Sequence, residues 1–300
     1  MKPVIVVAGA TGNLGMRIVK ALLQKNAEVL ALVRAETDPN KISELQGLGA
    51  KTCMVNMNSA VEIKDAIQGA QCVVSALSGL RPVIIDAQKI LFDAVVLAKV
   101  PHFIPSDYSL DFTPFNPGEN RNLDLRREFH QYIDNKGVRI TSIFNGAFAD
   151  MLTGQMPLVL FKQKKILCWG DPNHRMYLTT MDNTAEYTAS AALDPAAPRY
   201  LRIAGDLKSA TEMKAVMTEI TGQPYSIFRP GGKGLLSFII KVARFIAPSP
   251  GELYPAWQGM QYMRNMIDER AILNATDNNR YPGMKWTTAK DVLSAHLKGN

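Results

Sequence analysis

The sequence predicts an α/β protein whose parallel β-sheet is doubly wound, with helices on both faces. Three observations support this fold class. Short β-branched segments alternate with helical segments through the first half, the first of them runs straight into spaced glycines, and the hydrophobic content of 47% suits a large buried core. The chain length of 300 residues allows one large α/β domain with a smaller lobe. We expect the sheet domain within residues 1–150 and a substrate-covering lobe, partly interleaved with it, within residues 151–300.

A glycine-rich turn follows the first predicted strand, residues 4–8, and a helical pattern begins directly after it. Gly9 permits a tight turn, Gly12 lets backbone N–H groups approach a pyrophosphate, and Gly15 lets the helix pack close to the strand. This strand–turn–helix context predicts a Rossmann-like dinucleotide-binding domain rather than a chance cluster of glycines. The residues expected to hold the dinucleotide in this turn are Gly9, Thr11, Gly12, Asn13, Leu14 and Gly15.

The residue after the second predicted strand, 28–33, is Arg34. NAD-preferring sites place a carboxylate at this point for the ribose 2′-hydroxyl, whereas a guanidinium binds a 2′-phosphate bidentately and stays charged at any working pH. Arg34 therefore favours NADPH or NADP⁺ as the cofactor. Glu36 supports the alternative, because a small shift of the loop would bring its carboxylate to the ribose.

Further cofactor contacts are expected at the carboxyl ends of the other strands, where ligands bind in such sheets. The remaining strands predicted in this half are 51–55, 71–75, 102–104 and 139–144. The longer helices predicted between them are 86–99 and 122–135, and Gly137 ends the second. The residues after the strands that we expect to border the dinucleotide are Asn56, Ser75, Ala76, Leu77, Ser106, Asn145 and Phe148.

Shorter elements are predicted in the second half. The strands expected there are 166–170, at a sheet edge, 176–180 and 200–203. The helices expected there are 183–193, capped by Asp182, and two that open with the capping boxes Ser209–Glu212 and Thr288–Asp291. Residues 235–247 are apolar with Lys241 and Arg244 on one side, which indicates a buried amphipathic helix. A helix that touches a membrane surface is the alternative.

A second apolar stripe consists of Trp257, Met260, Met263 and Ile267, which recur at helical spacing. The stripe indicates core packing or a dimer face. An adaptable lid on a lipophilic substrate is the alternative, because methionine side chains are flexible. We accordingly expect a monomer or a homodimer.

The composition argues against several classes of function. The net charge is +7, but the basic residues form no run of five or more, so we expect no nucleic-acid partner. The three cysteines, Cys53, Cys72 and Cys168, match no metal spacing, which indicates a reducing compartment and no bound metal. No apolar run is long enough to span a bilayer, and the first strand leaves no room before it for a signal peptide. The sequence therefore predicts a cytoplasmic protein with a small-molecule substrate and no membrane partner.

Several segments together resemble the NmrA-like group, an atypical branch of the short-chain dehydrogenases that includes isoflavone-reductase-like enzymes. These are the glycine turn, Arg34 and the run Ile104-Pro105-Ser106-Asp107-Tyr108, which looks like the PSEF-type segment of that family. Residues 178–195 (LTTMDNTAEYTASAALDP) and 281–293 (YPGMKWTTAKDVL) also look like stretches of the family. The resemblance implies either NADPH-dependent reduction of aromatic or phenolic compounds or a catalytically silent NAD(P) sensor.

The chain departs from this family at the catalytic position. Isoflavone-reductase-like enzymes carry a general-acid lysine at the start of the helix after the PSEF segment, and the resemblance places Arg126 there. An arginine side chain binds an anion or polarises a carbonyl, but it does not donate and recover a proton. Tyr108 is the expected donor, oriented by Ser106 or Asp107. Its alternative role is packing, where the family has phenylalanine.

Other candidate donors are His174 and Tyr177 in the lobe, although a surface-loop position is the alternative for His174. Tyr132 and Lys136 spell the Y-x-x-x-K pattern of typical short-chain dehydrogenases. They occupy the last turns before Gly137, roughly 15 Å along the helix from the expected cofactor end. We therefore interpret this motif as structural.

Together these observations predict NADPH-dependent reduction of a small aromatic or otherwise lipophilic carbonyl compound, with hydride transfer from the nicotinamide. The alternative is a non-catalytic NADP(H)-binding sensor that alters the activity of a partner protein, and the missing lysine favours it. A closed apolar pocket beside the nicotinamide distinguishes an enzyme, whereas a sensor exposes a patch for its partner.

Overall fold

The computed structural model describes residues 2–299, which contain fourteen β-strands and ten α-helices. The strands are β1 (Val4–Ala8), β2 (Glu28–Val33), β3 (Lys51–Met54), β4 (Cys72–Ser75), β5 (His102–Ile104), β6 (Arg139–Ile140), β7 (Ser142–Phe144), β8 (Ala147–Phe148), β9 (Val159–Leu160), β10 (Lys165–Trp169), β11 (Met176–Thr179), β12 (Tyr200–Arg202), β13 (Asp206–Lys208) and β14 (Ser226–Gly231). The helices are α1 (Asn13–Gln24), α2 (Pro39–Gly47), α3 (Ala60–Ala66), α4 (Gln88–Leu97), α5 (Arg121–Ile133), α6 (Met181–Leu193), α7 (Ala210–Thr221), α8 (Lys233–Ile246), α9 (Ala256–Met266) and α10 (Ala289–Lys298).

The central sheet has six parallel strands in the order β3-β2-β1-β4-β5-β6. Successive side chains of a strand point to opposite faces, and β1 is buried on both. Ile5 and Val7 pack into the cluster that contains α1 and α6, whereas Val6 and Ala8 pack into the cluster of α3, α4 and α5. The predicted fold class, a Rossmann-like doubly wound parallel sheet, is confirmed.

The predicted strand 139–144 changes partners at Thr141. The Thr141 N–H donates to the Phe103 carbonyl of β5 (3.1 Å), and the next N–H, of Ser142, donates to the Arg199 carbonyl (2.8 Å). The strand is therefore divided into β6, which pairs with β5, and β7, which pairs in parallel with β12. Through β12, the second half of the chain adds a strand beside the main sheet. The division into two regions at residue 150 stays a prediction.

Both predicted capping boxes are confirmed, at Ser209–Glu212 and Thr288–Asp291. Asp182 was wrong as the cap of α6, because that helix begins at Met181. The Thr180 hydroxyl accepts from the Asn183 N–H instead (3.2 Å).

The edge position predicted for residues 166–170 was also wrong. The strand β10 lies between β14 and β9 in a three-stranded sheet, and both of its sides are paired. A pattern of apolar residues does not tell whether a strand is paired on one side or on two.

The helix α8 differs most from its prediction. Only Leu236 and Ile240 are buried in it, so a buried amphipathic helix was wrong. The apolar stripe that begins at Trp257 lies in and just after α9. Trp257 and Met263 are buried, which agrees with the predicted core packing. No helix within residues 2–299 combines the length and apolar content needed to cross a bilayer.

Candidate functional site

The glycine turn after β1 has the geometry that its sequence predicts. Gly9 has φ +79°, and a Cβ there would lie 2.7 Å from the Ala76 carbonyl oxygen. A Cβ at Gly15 would lie 2.1 Å from the Gly9 carbonyl oxygen, whereas one at Gly12 would lie 3.3 Å from the same atom. Close packing therefore requires glycine most strictly at positions 9 and 15.

Gly12 has a different effect, because it is the N-cap of α1 and offers no side-chain oxygen to the first helical N–H groups. Those N–H groups carry the positive end of the helix dipole, which makes the turn a suitable site for a phosphate. The predicted contacts Thr11, Asn13 and Leu14 lie in this turn or at the start of α1.

Arg34 follows β2 directly and is exposed, and its backbone N–H donates to the Thr37 hydroxyl (3.0 Å). Glu36 is exposed as well, and neither side chain has an ion pair within residues 2–299. Both the guanidinium and the competing carboxylate are thus available to a ribose. Asn56 lies beyond β3, where its side-chain oxygen accepts from the Asn58 N–H (3.0 Å) and shapes the local turn.

The ends of β4 and β5 meet at one place, which we call the carboxyl edge. The Ser106 hydroxyl donates to the Leu77 carbonyl (2.5 Å), and the Ala76 N–H donates to the Ala8 carbonyl (2.8 Å). Ser75 is fully buried, and its hydroxyl has no hydrogen-bond partner within the described chain. The structure therefore brings these four predicted residues together.

Asn145 follows β7 and is fully buried, yet both polar atoms of its side-chain amide lack a partner among residues 2–299. Its backbone is fixed, because its N–H donates to the Ser109 carbonyl (2.9 Å) and its carbonyl accepts from the Thr179 hydroxyl (2.7 Å). Phe148 is partly buried three residues further on. Buried amides are rarely left without a partner, so the Asn145 side chain fits a polar ligand such as the carboxamide of a nicotinamide.

Arg126 lies on α5, whose first turn is capped by Asn120. Its Nε donates to the Ser106 carbonyl (3.1 Å) and its Nη1 to the Asn122 carbonyl (2.9 Å). The guanidinium therefore reaches the end of β5, at the carboxyl edge. It places a permanent positive charge there.

Tyr108 lies on the other face of the sheet. Its side chain is buried in the cluster that contains Cys72 and α6, and it lies beside Thr188. Burial raises the pKa of the phenol far above its usual value. This placement favours the packing role over proton donation, since Arg126 belongs to a helix that packs on the opposite face.

A buried polar cluster behind the carboxyl edge was not predicted from the sequence. Asp107 Oδ2 lies 2.6 Å from His130 Nε2 and accepts from the Ser142 hydroxyl (2.6 Å). Burial alone would raise the pKa of Asp107, but the charge of His130 and the hydrogen bonds from His130 and Ser142 hold it below its usual value. The serine donates to the carboxylate, so the three groups fix the segment after β5 and form no nucleophilic triad. The one sign of this buried cluster in the sequence is a histidine, His130, four residues after Arg126.

The remaining candidate donors are hydrogen-bonded to backbone atoms of the lobe. His174 Nε2 lies 3.0 Å from the Met266 carbonyl, and the Tyr177 hydroxyl exchanges hydrogen bonds with the backbone of Leu273 (2.9 and 3.2 Å).

The Y-x-x-x-K motif faces α4. The Tyr132 hydroxyl donates to Asp93 (2.6 Å), and this hydrogen bond, with burial, raises the tyrosine pKa to about 12. Among the residues described, no group of three or more His, Cys, Asp or Glu side chains could hold a metal ion.

A small cavity lies at the end of β7, between the segment that follows β5 and the lobe. Its lining includes Leu110, Phe144, Gly146, Tyr177 and Met266, and its volume is about 20 Å³. That volume holds roughly one water molecule. A larger apolar substrate would need the lining to move, and a methionine side chain moves readily.

The family model described as the NmrA-like family matches residues 1–230. The chain belongs to the NmrA-like family. The resemblance seen in the glycine turn and the PSEF-type segment is thereby confirmed.

Plant reductases are among the relatives of this NmrA-like chain. Pinoresinol reductase 1 of Arabidopsis thaliana is 28% identical over 310 residues, which cover 98% of the chain and 96% of the relative. Bifunctional pinoresinol-lariciresinol reductase 2 of Thuja plicata is 24% identical over 317 residues, which cover 98% of each.

Solved structures agree in fold. The structure of AtPrR2 with NADP⁺ and (+)pinoresinol has a TM-score of 0.81 at 22% identity and covers 99% of both chains. Isoflavone reductase has a TM-score of 0.81 at 20% identity and covers 98% of this chain and 99% of its own.

The NmrA-like chain also places a tyrosine near Arg126 that the sequence did not single out. The helix α9 docks on the start of α5, where Asn120 bonds Gln258 (2.8 Å) and Asn265 (3.1 Å). Tyr262 lies on this helix, its hydroxyl interacts with the Asn122 side chain, and it is near Arg126. Burial raises its pKa, and the charge of Arg126 opposes that shift. The helical spacing of apolar residues after Trp257 predicted the helix α9. The contact of this helix with the start of α5 could not be predicted from the sequence.

Proposed function

We propose that this NmrA-like protein is an NADPH-dependent reductase of a small aromatic or lipophilic carbonyl compound. One observation carries the proposal. Groups able to bind a dinucleotide follow three strands: the uncapped N-terminus of α1 after β1, the buried Ser75 hydroxyl at the end of β4 and the buried Asn145 amide after β7, and the two side chains have no partner within residues 2–299. The names of the relatives, pinoresinol reductase and pinoresinol-lariciresinol reductase, support reduction of an aromatic compound, and the carbonyl group of the substrate is our own proposal.

The cofactor contacts follow from the positions of the side chains and N–H groups. The N-terminus of α1 binds the pyrophosphate, and Arg34 binds the 2′-phosphate. Asn145 and Ser75 hydrogen-bond the nicotinamide end, beside Phe148. Structures of two neighbours in fold, AtPrR2 and the leucoanthocyanidin reductase of Vitis vinifera, hold NADP⁺ and NADPH, which supports this cofactor.

Bound NADPH supplies the hydride that reaches the carbonyl carbon. Arg126 polarises the carbonyl oxygen through its fixed charge. Tyr262 gives its phenolic proton to that oxygen as the alkoxide develops and regains a proton from water. Burial raises the pKa of Tyr262 and keeps the phenol protonated, and the charge of Arg126 offsets part of that rise. The hydrogen bonds between α9 and α5 hold Tyr262 on the side of α5 that carries Arg126.

The second candidate function is an NADP(H)-binding sensor that regulates a partner protein. Arg126 favours it, because the family's general-acid lysine is replaced by a group that does not titrate in a useful range. A sensor binds the nucleotide but turns over no substrate.

Calorimetric titration with NADPH, NADP⁺, NADH and NAD⁺ tests the shared part of both candidates. We expect Arg34→Ala to weaken NADPH roughly 10- to 100-fold, since a charge-assisted contact is lost, and to leave NADH unchanged. Lys25→Ala is the matched control, because it removes an exposed charge at the other end of α1. Loss of reduced-nicotinamide absorbance is then followed with aromatic carbonyl compounds and with pinoresinol. No nucleotide binding refutes both functions, and binding without turnover of any of these compounds leaves the sensor.

A further inference from the structure

The outer face of α8 is an unusual surface for a folded protein. Its exposed apolar side chains are Leu235 (45% exposed), Phe238 (62%), Val242 (39%), Phe245 (89%) and Ile246 (74%). They lie 3, 4, 3 and 1 residues apart and so share one side of the helix. We call these five residues the α8 surface. Contiguous exposed apolar residues of this kind mark an interaction site.

A groove extends the α8 surface toward the start of α9. It has a volume of about 600 Å³, and its walls include Phe238, Val242, Ile246 and Trp257. Phe228 of β14, the strand that precedes α8, is also 44% exposed, and Lys165 Nζ lies 5.5 Å from its ring centre. The apolar area is therefore wider than a single helix.

Cations outnumber carboxylates around this area. Glu252 lines the groove, but residues 220–251 contain no aspartate or glutamate and contain Arg229, Lys233, Lys241 and Arg244. Lys233 is paired with Asp268 (2.5 Å), and Arg244 lies over the Trp257 ring (5.1 Å). Arg229 and Lys241 are exposed and have no ion pair within residues 2–299.

We propose that the α8 surface docks on an anionic lipid membrane, with α8 lying in the plane of the interface. Phe245 and Ile246 insert among the acyl chains, and Arg229 and Lys241 face the lipid phosphates. Aromatic and aliphatic residues on one face, with lysine and arginine at its border, are the composition of helices that lie in membrane interfaces. This proposal departs from the sequence prediction of no membrane partner.

Two other occupants fit the observations less well. A second copy of the chain would bring the same cations of both copies together across a symmetric interface, and Glu252 is the one carboxylate in the lining of the groove that could offset them. A bilayer-spanning role fails on length, because α8 has 14 residues and a span needs about 20.

Co-sedimentation of the full chain with lipid vesicles tests the proposal. We expect binding to vesicles of roughly two parts phosphatidylcholine to one part phosphatidylglycerol, and at least tenfold weaker binding to phosphatidylcholine alone. The double variant Phe245→Ser with Ile246→Ser should weaken anionic-vesicle binding by more than tenfold, since two apolar side chains no longer enter the membrane. Leu97→Ser, which changes an exposed leucine on α4 (56% exposed), is the matched control and should bind as the original chain does.

The charges are tested separately. Arg229→Gln with Lys241→Gln should weaken anionic-vesicle binding by roughly 30-fold, about fivefold for each cation, and added salt should reduce the difference. Lys20→Gln with Lys25→Gln removes two exposed cations from α1 and should leave binding unchanged. All substituted residues are exposed, and thermal unfolding of each variant checks that the fold is kept.

Three results would overturn the proposal. The first is no sedimentation with anionic vesicles, and the second is sedimentation that neither double variant reduces. The third is a dimer in solution that the Phe245→Ser/Ile246→Ser variant converts to a monomer while vesicles bind neither form. That third result would assign the α8 surface to a second copy of the chain.

Discussion

Removal of the His130 imidazole should destabilise the protein strongly, because it is a principal partner of a buried carboxylate. The Asp107 side chain is 1% exposed, and its Oδ2 lies 2.6 Å from His130 Nε2. Leaving a buried hydrogen-bonding group without its partner costs about 1–3 kcal/mol, and more when the group is charged. Ser142 keeps its hydrogen bond to the same oxygen. We therefore expect His130→Ala to lower the free energy of unfolding by about 3 kcal/mol, because the group that loses its partner is a carboxylate.

The same change should alter the pH dependence of stability. In the folded protein the pKa of Asp107 is below its usual value, so its contribution is complete above the unfolded pKa of about 3.9 and is lost as the pH falls through the folded pKa. Without His130, burial dominates and raises the pKa of Asp107. Acid unfolding of His130→Ala should then begin at a higher pH than that of the original chain.

Urea unfolding followed by circular dichroism measures both effects, at neutral pH and at steps into the acid range. Asp107→Asn and the double variant complete a cycle that isolates the pair. His174→Ala is the control, since it removes a histidine that contacts a backbone carbonyl of the lobe. A loss below about 1 kcal/mol in His130→Ala, or a coupling energy near zero, would refute the reasoning.

Further changes test the site itself. Gly15→Ala should destabilise the chain by about 3 kcal/mol or more and abolish nucleotide binding, because the new Cβ would lie 2.1 Å from a carbonyl oxygen. Gly12→Ala should keep the fold. Thermal unfolding measures the stability of both variants, and calorimetry measures their nucleotide binding. Tyr108→Phe should leave kcat unchanged in the absorbance assay, and a fall of 100-fold would restore it as the donor. Tyr262→Phe should lower kcat by roughly 10²–10⁴-fold with NADPH affinity unchanged, and equal turnover would contradict its role. Arg126→Lys should retain activity but shift the pH profile of kcat, because lysine titrates.

Local signals carried most of the correct predictions. The glycine turn and the two capping boxes are set by residues within six positions of one another, so their geometry can be predicted from a short stretch of sequence. The alternation of strands and helices likewise identified the fold class. The failed cap shows the limit of this approach, since Thr180 and Asp182 are both competent caps and the start of α6 decides between them.

Contacts between distant segments could not be predicted. Asp107 and His130 are separated by 23 residues, and Asn120 and Asn265 by 145. The periodicity of apolar residues in the sequence contains no information about such pairs. For α8, the spacing of apolar residues predicted one apolar face, but nothing in the spacing says whether that face meets the core or the solvent.

The strand β12 pairs with β7 but is synthesised much later, which has a consequence for folding of the chain on the ribosome. The strand β7 is complete at Phe144, but its partner begins at Tyr200. At about 5–20 residues per second, the intervening segment takes roughly 3–11 s to be made. During that interval the nascent sheet ends in an open row of backbone N–H and carbonyl groups, which is a template for wrong pairing. Chaperone occupancy of stalled nascent chains should therefore fall sharply once β12 has left the ribosomal tunnel.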